Sequence, residues 1–320
     1  MKKLKILNAE AEDYSGEALQ MLLEWGEVDE KNLTQRELWE GIENYEVVII
    51  RLGLKIDKTI LDRALKLRYI VSATTGTDHI DVAYATQKGI EIVCLQGETE
   101  FLQSIPSTAE HTWALLLAVL RNIPAAYRHV LEGKWERQLF RGHNLFGQKI
   151  GILGLGRVGK QVAHYAIAFG CSIGAFDPHL TEWPIQEVSR FDDSESLLRW
   201  CDILCIHIPY NAGNHHFLNL KMLSNLQPGA VLINTSRSGI WDERAIVELL
   251  QSRHIAALAT DVIDNEQTSE LRADSLLLKY AQNHPQVLIT PHIAGATFES
   301  MNMTEVFIAE KLTKIIQNET

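Results

Sequence analysis

Cysteine, basic charge and long apolar runs are all scarce in this chain, and each shortage excludes a class of explanation. Four cysteines, Cys94, Cys171, Cys201 and Cys205, are too few for a disulfide framework in 320 residues, and none forms a CxxC pair. A reducing compartment, the cytoplasm, is expected. Cys201 and Cys205 lie four apart in WCDILCIHIP, a β-branched strand pattern, so they read as core residues and no metal site is expected. Thirty basic residues against forty-one acidic ones leave a net charge of -11, which repels phosphate backbones and anionic membrane surfaces. Nucleic acid and membrane are thereby excluded as partners. No apolar run reaches the roughly 20 residues of a membrane span. The opening MKKLKILNAEAEDYSGE meets acids too soon to hold a signal-peptide core. Short-period repeats and low-complexity segments are missing too, and a hydrophobic fraction of 46% against 22% charged describes a chain that folds. Its length exceeds what one core normally serves, so two domains are expected.

What is present is alternation. From KLKILNA through SGEALQMLLEWG, YEVVIIRLG, KTILDRALK, LRYIVSATTG, DVAYATQKG and IEIVCLQG, short apolar runs alternate with helical periods. Strands separated by helices of that length pair in parallel with right-handed crossovers, which predicts a small doubly wound sheet. SIPSTAEHTWALLLAVLRNIPAAYRHVLEGKW then predicts one long helix, opened by Pro106, Ser107 and Thr108 with Glu110 close behind. It is too apolar to be solvated all round. From Gln148 a second alternation gives about six strands, in KIGILGLG, SIGAFD, DILCIHIP, AVLINTS, IAALATDVI and QVLITPH, and MNMTEVFIAEKLTKIIQ adds an amphipathic helix. The expected fold class is α/β, with two doubly wound parallel-sheet domains.

KIGILGLG runs into GLGRVGKQVAHYAIAFG, so Gly154, Gly156 and Gly159 form a GxGxxG at a strand-to-helix turn. The first glycine permits the turn, the second lets the backbone approach a pyrophosphate, and the third lets helix and strand pack closely. The helix start adds outward amides and a positive dipole end. Such a string also serves ordinary loop geometry, and its weight comes from the next strand, SIGAFD, which ends on Asp177, 23 residues beyond Gly154. A carboxylate there accepts from both adenosine ribose hydroxyls and repels a 2′-phosphate, predicting NAD rather than NADP. His179 and Arg190 leave NADP a small opening.

Open α/β sheets bind ligands outside the carboxyl ends of their strands. Three such ends carry polar residues: Arg237, Asp261 with Glu266, and His292. Taken singly, the arginine reads as a surface charge, the glutamate as solvated and the histidine as structural. Together they match a family. Through GILGLGRVGKQVA, TAEHTWALLLAVLRNIP, GKWERQLFRGHNLFGQ, LINTSRSGIWDERAI, ATDVIDNE and ITPHIAGAT, the chain resembles the D-isomer-specific 2-hydroxyacid dehydrogenases over nearly its whole length. Among them it is most similar to the 3-phosphoglycerate dehydrogenase branch.

The resemblance implies a Rossmann NAD-binding domain, residues 105–293, inserted in a flavodoxin-like substrate domain made of residues 1–104 and 294–320. It implies hydride transfer between nicotinamide and the alpha carbon of a D-2-hydroxy or 2-keto acid, with Arg237, Glu266 and His292 as the catalytic set. Chemistry agrees. A guanidinium grips a carboxylate through two bonds and polarises the keto oxygen, while an imidazole delivers the proton. Glu266 then holds the tautomer of the ring and stabilises its charged form. Cofactor contacts are implied for Gly154, Gly156, Arg157, Val158, Gly159, Asp177, His207, Pro209, Thr235, Ser236, Asp261 and Gly295. Backbone amides of Thr75 and Gly76, in SATTGTDHID, are implied to receive the substrate carboxylate.

Several positions depart from that pattern. Ser72 stands where the phosphoglycerate branch commonly has a basic residue, and GETEFLQSIPS carries two acids and no cation, which disfavours a phosphorylated substrate. Ser238 replaces a usual glycine and Gln267 a usual proline. Residues 267–286 read as an insertion without legible chemistry, and no regulatory extension is expected after the last helix. The family also includes dinucleotide-sensing corepressors, so an NADH-binding protein without turnover stays open beside the enzyme, as does D-3-phosphoglycerate dehydrogenase specifically. A sugar-nucleotide reductase would need a tyrosine and lysine pair that is not apparent. A homodimer is expected, built on the helix from Ser107 and the aromatic residues around Trp113 and Trp135.

Overall fold

Runs such as VVII, ILCI and AVLIN are aliphatic at every position, as strands covered on both faces must be, and each becomes a fully buried strand. The computed structural model describes residues 3–266 and 268–319, so the Gln267 substitution lies outside the described residues. The chain divides into two compact units, one holding the residues up to Ser104 together with those from Ala296 onward, the other Ile105–Gly295. Both are parallel α/β sheets.

In the first unit the strands are β1 (Leu4–Asn8), β2 (Gly26–Glu30), β3 (Val47–Ile50), β4 (Tyr69–Ser72) and β5 (Glu91–Cys94), ordered β2-β1-β3-β4-β5. One face buries Leu7, Val48, Ile50 and Ile70 beneath Leu38, Ile60 and Leu61. The helices Gly16–Trp25 and Phe298–Asn318 cover the other face and pack on each other. A buried acid fastens them: Glu305, 2% exposed, accepts from the Ser15 amide at 2.8 Å and from the Arg51 guanidinium at 2.6 Å. Strand β2 departs from the sequence reading. Its GEVDE is acidic, as befits a sheet edge, and it closes on β1 because Gly26 has no Cβ to strike the Leu4 carbonyl.

The second unit contains β6 (Lys149–Leu153), β7 (Ser172–Phe176), β8 (Val188–Arg190), β9 (Ile203–Ile206), β10 (Ala230–Asn234), β11 (Ile255–Thr260) and β12 (Val287–Ile289). Their order is β12-β11-β10-β9-β6-β7-β8, all parallel. The chain builds outward from β6 to β8, then returns to the other side of β6 with β9. The β6/β9 boundary is therefore the topological switch point, where such sheets open a crevice. The three-residue edge strand β8 is one more than the sequence suggested.

The expected single long helix resolves into two, Ser107–Leu120 and Ile123–Leu131, separated by Asn122 at φ +52°. Asparagine tolerates that left-handed turn, and Pro124 presets the following helix start. Trp113, expected at a subunit surface, is instead core: it is 7% exposed and meets Tyr165 and Phe169 edge-on. The exposed apolar residues are further along, at Tyr127, Leu131, Trp135, Leu139 and Phe146. Among the described residues no helix is long and apolar enough to cross a membrane, and no cluster of three potential metal ligands occurs.

Candidate active site

The GxGxxG turn lies directly after β6, and its glycines answer three different constraints. Gly154 has φ +92°, and a Cβ there would lie 2.7 Å from the His207 carbonyl oxygen. Gly159 is packed so closely that a Cβ would run into the carbonyl of Gly154. Gly156 is the opposite case. It caps the Arg157–Ala168 helix, is exposed, and has nothing within 4 Å of where its Cβ would be. The helix begins without a side-chain cap, so its first amides face this open space. A pyrophosphate fits such a cradle, and the half-buried Val158 lies in the same first turn.

Asp177 follows β7, and its carboxylate accepts from the Leu155 amide and the His179 amide, both at 3.0 Å. The glycine turn and the acid are thus tied together. A carboxylate has roughly four lone-pair sites, so capacity remains for ribose hydroxyls. Across the switch point, His207 follows β9. Burial, with the nearby Arg157 guanidinium adding to it, pushes the imidazole down to about 3, so the ring is neutral. Its buried Nε2 has no partner among the described residues, as expected of an atom that a bound cofactor would satisfy. Arg157 itself is turned toward Ile105, donating to its carbonyl at 2.9 Å. Pro209 is exposed two residues further on.

Arg237, Glu266 and His292 follow β10, β11 and β12, three adjacent strands, at the same carboxyl edge. The Arg237 loop is gripped by Asn234, a residue the sequence reading missed. Its fully buried amide accepts from Ser236 N at 2.9 Å and donates to the Arg237 carbonyl at 3.1 Å. An asparagine ending an otherwise aliphatic strand was the available signal. Ser236 also donates its hydroxyl to the Ile208 carbonyl, Thr235 bonds Thr112 at 2.7 Å, and Arg237 Nη1 donates to Ser236 O at 2.9 Å. Ser238 gives a hydrogen bond to Asp264, a carboxyl that burial nevertheless pushes up.

His292 Nδ1 lies 2.5 Å from Glu266 Oε1, with both side chains about three-quarters covered. Engaging Nδ1 leaves Nε2 as the ring nitrogen able to exchange a proton with a ligand. The residue occupies the left-handed region at φ +56°, a costly conformation for a side chain with a Cβ. Asp261 holds that turn. It is 1% exposed and accepts from Thr290 Oγ1 at 2.6 Å, Ile293 N at 2.9 Å and Ala294 N at 2.7 Å. Burial works against its charge, but bonds from His111, Thr290, Ile293 and Ala294 outweigh this and hold the carboxyl below its ordinary range. Gly295, just beyond, is exposed with open space at its Cβ position.

Thr75 and Gly76 belong to the first unit, in the loop after β4. Thr74 Oγ1 donates to the Gly76 carbonyl at 2.8 Å and lies 2.9 Å from the buried Ser72 hydroxyl, which itself approaches His79 Nε2 at 3.4 Å.

Residues 113–294 match the model of the D-isomer-specific 2-hydroxyacid dehydrogenase NAD-binding domain. D-3-phosphoglycerate dehydrogenase of Methanocaldococcus jannaschii is 33% identical over 95% of this chain and 56% of its own length, so the chain spans about half of that relative. Hydroxypyruvate reductase of Thermotoga maritima is 33% identical over 93% of this chain and 94% of its own. The crystal structure of the TT0316 protein from Thermus thermophilus superimposes with a TM-score of 0.82 at 29% identity, covering 98% of this chain and 97% of that one.

Proposed function

The chain belongs to the D-isomer-specific 2-hydroxyacid dehydrogenase family, and we propose that it transfers a hydride between NAD and the alpha carbon of a D-2-hydroxy or 2-keto acid. The observation that carries this reading is the His292–Glu266 pair at 2.5 Å, set at the same strand edge as Arg237. NAD supplies or takes the hydride when bound. Gly154, Gly156 and Gly159 with the Arg157–Ala168 helix start would hold its pyrophosphate, Asp177 its adenosine ribose, and the His207, Thr235 and Ser236 loops its remainder.

Arg237 grips the substrate carboxylate and draws charge toward the keto oxygen. His292 gives a proton from Nε2 to that oxygen during reduction and takes it back during oxidation, while Glu266 fixes the tautomer through Nδ1. Backbone amides of Thr75 and Gly76 are assigned to the carboxylate. The buried Ser72 side chain carries no charge where a phosphate would need a cation, which favours a small unphosphorylated 2-keto acid over 3-phosphoglycerate chemistry. Hydroxypyruvate, named by a relative of matching length, heads the list of candidates. The assembly we propose is a homodimer.

A screen of 2-keto acids, phosphorylated and not, followed by NADH absorbance, tests the reading. We expect turnover of at least one unphosphorylated acid, abolished in His292→Ala with NADH binding retained. Tight NADH binding without turnover of any acid would replace the enzyme by a sensor.

A further inference from the structure

Two neighbouring side chains of the Ser107–Leu120 helix reach the strand ends that carry the proposed catalytic groups. Thr112 Oγ1 donates to Thr108 O at 2.7 Å and lies 2.7 Å from Thr235 Oγ1, two residues before Arg237. A hydroxyl has one proton, so Thr235 is the donor in that second bond. One residue earlier, His111 Nε2 lies 3.0 Å from Thr290 Oγ1, two residues before His292. The same counting applies. Thr290 gives its proton to Asp261 Oδ1 at 2.6 Å, so it must accept from His111, which places a proton on His111 Nε2. His111 Nε2 is also 3.5 Å from Asp261 Oδ1.

The second relay ends on a strained element. Asp261 passes the constraint to the amides of Ile293 and Ala294, and these hold His292 at φ +56°. Meanwhile β10 and β12 are separated by β11, so about two strand spacings, near 10 Å, part the loops bearing Arg237 and His292. The backbone of Asp261 bridges them from within the sheet, its N–H on Asn234 O at 2.9 Å and its carbonyl accepting from His292 N at 3.0 Å. The Ser107–Leu120 helix touches both loops from outside the sheet through side chains.

We propose that His111 and Thr112 are positioning residues, making the Ser107–Leu120 helix the strut that sets the Arg237 and His292 loops against each other. This rests on the catalytic roles assigned above. Hydride and proton must reach one carbonyl together, and a misplacement of about 1 Å costs on the order of 100-fold in rate. Loss of the His111 tether should appear in the chemical step and spare cofactor binding, because neither His111 nor Thr290 adjoins the glycine turn or Asp177.

The experiment compares His111→Ala, His111→Gln and Thr290→Val with the unmutated chain. Thr290→Val interrupts the relay while filling the same space. On an accepted keto acid, His111→Ala and Thr290→Val should lower kcat about 10- to 100-fold with the NADH Kd within about two-fold. The Gln variant, whose amide N–H can replace the ring donor, should recover most of the loss. Independently of turnover, proton NMR should contain a downfield resonance from the short His292 Nδ1–Glu266 bond, broadened or lost in the first two variants and kept in the third. Unmutated protein that reduces no keto acid refutes the enzymatic reading alone, since the resonance still reports on the strut. Thr290→Val with wild-type kcat and an unchanged resonance overturns the strut, as does parallel loss of NADH binding.

Discussion

Asp177 is fastened by two backbone amides of its own chain, so in the proposed role it would meet a cofactor as a fixed acceptor instead of a mobile surface acid. Its rejection of a 2′-phosphate should accordingly be sharp. Asp177→Ala is expected to weaken NADH binding by about tenfold and to narrow the gap to NADPH, read by fluorescence titration with both. Unmutated protein that binds the two equally would contradict the role. At this scale the sequence singled out Asp177, Arg237, Glu266 and His292, and the structure sets the last three after three adjacent strands, with Glu266 bonded to His292. The sequence hid contacts with remote amides. Nothing in ATDVIDNE reveals that the amides of Ile293 and Ala294, over thirty residues on, donate to Asp261. Asn234 braces its own loop through Ser236 and Arg237, and His111 meets Thr290 from a helix far away in the chain.

Among elements, apolar alternation revealed every central strand, while two of the four edge strands, β2 and β8, escaped it. GEVDE and VSR carry few apolar residues because an edge buries less, so the cue that finds central strands is absent there. The break at Asn122 was hidden because its left-handed turn interrupts the backbone without interrupting the hydrophobic pattern. The glycine turn shows how one motif divides its labour. Gly159→Ala forces a Cβ onto the Gly154 carbonyl and should cost about 1–3 kcal/mol, seen as a lower Tm. Gly156→Ala places its methyl in open space at an ordinary negative φ, so Tm should hold while NADH affinity falls at least tenfold. Equal thermal losses in the two variants would mean that neither glycine is shaped by a ligand.

For the whole molecule, the segment from Ile123 to Phe146 leaves Leu131 68%, Trp135 81% and Phe146 80% exposed, a density of bare apolar surface that isolated chains avoid. A two-fold homodimer built on this segment should scatter light as twice 36.1 kDa at micromolar concentration, and Trp135→Lys should shift it toward the single chain. A monomeric mass for the unmutated protein would refute it. The other whole-chain feature is the unit assembled from both ends of the sequence, with Glu305 joining the Ser15 amide and Arg51. On a ribosome, β1 to β5 emerge first, yet the apolar face that Ile308, Ala309 and Leu312 cover stays bare until the last helix of this sequence has been made. The layer begun before Ile105–Gly295 is completed after it, so Ile105–Gly295 can mature while its predecessor still waits for a lid.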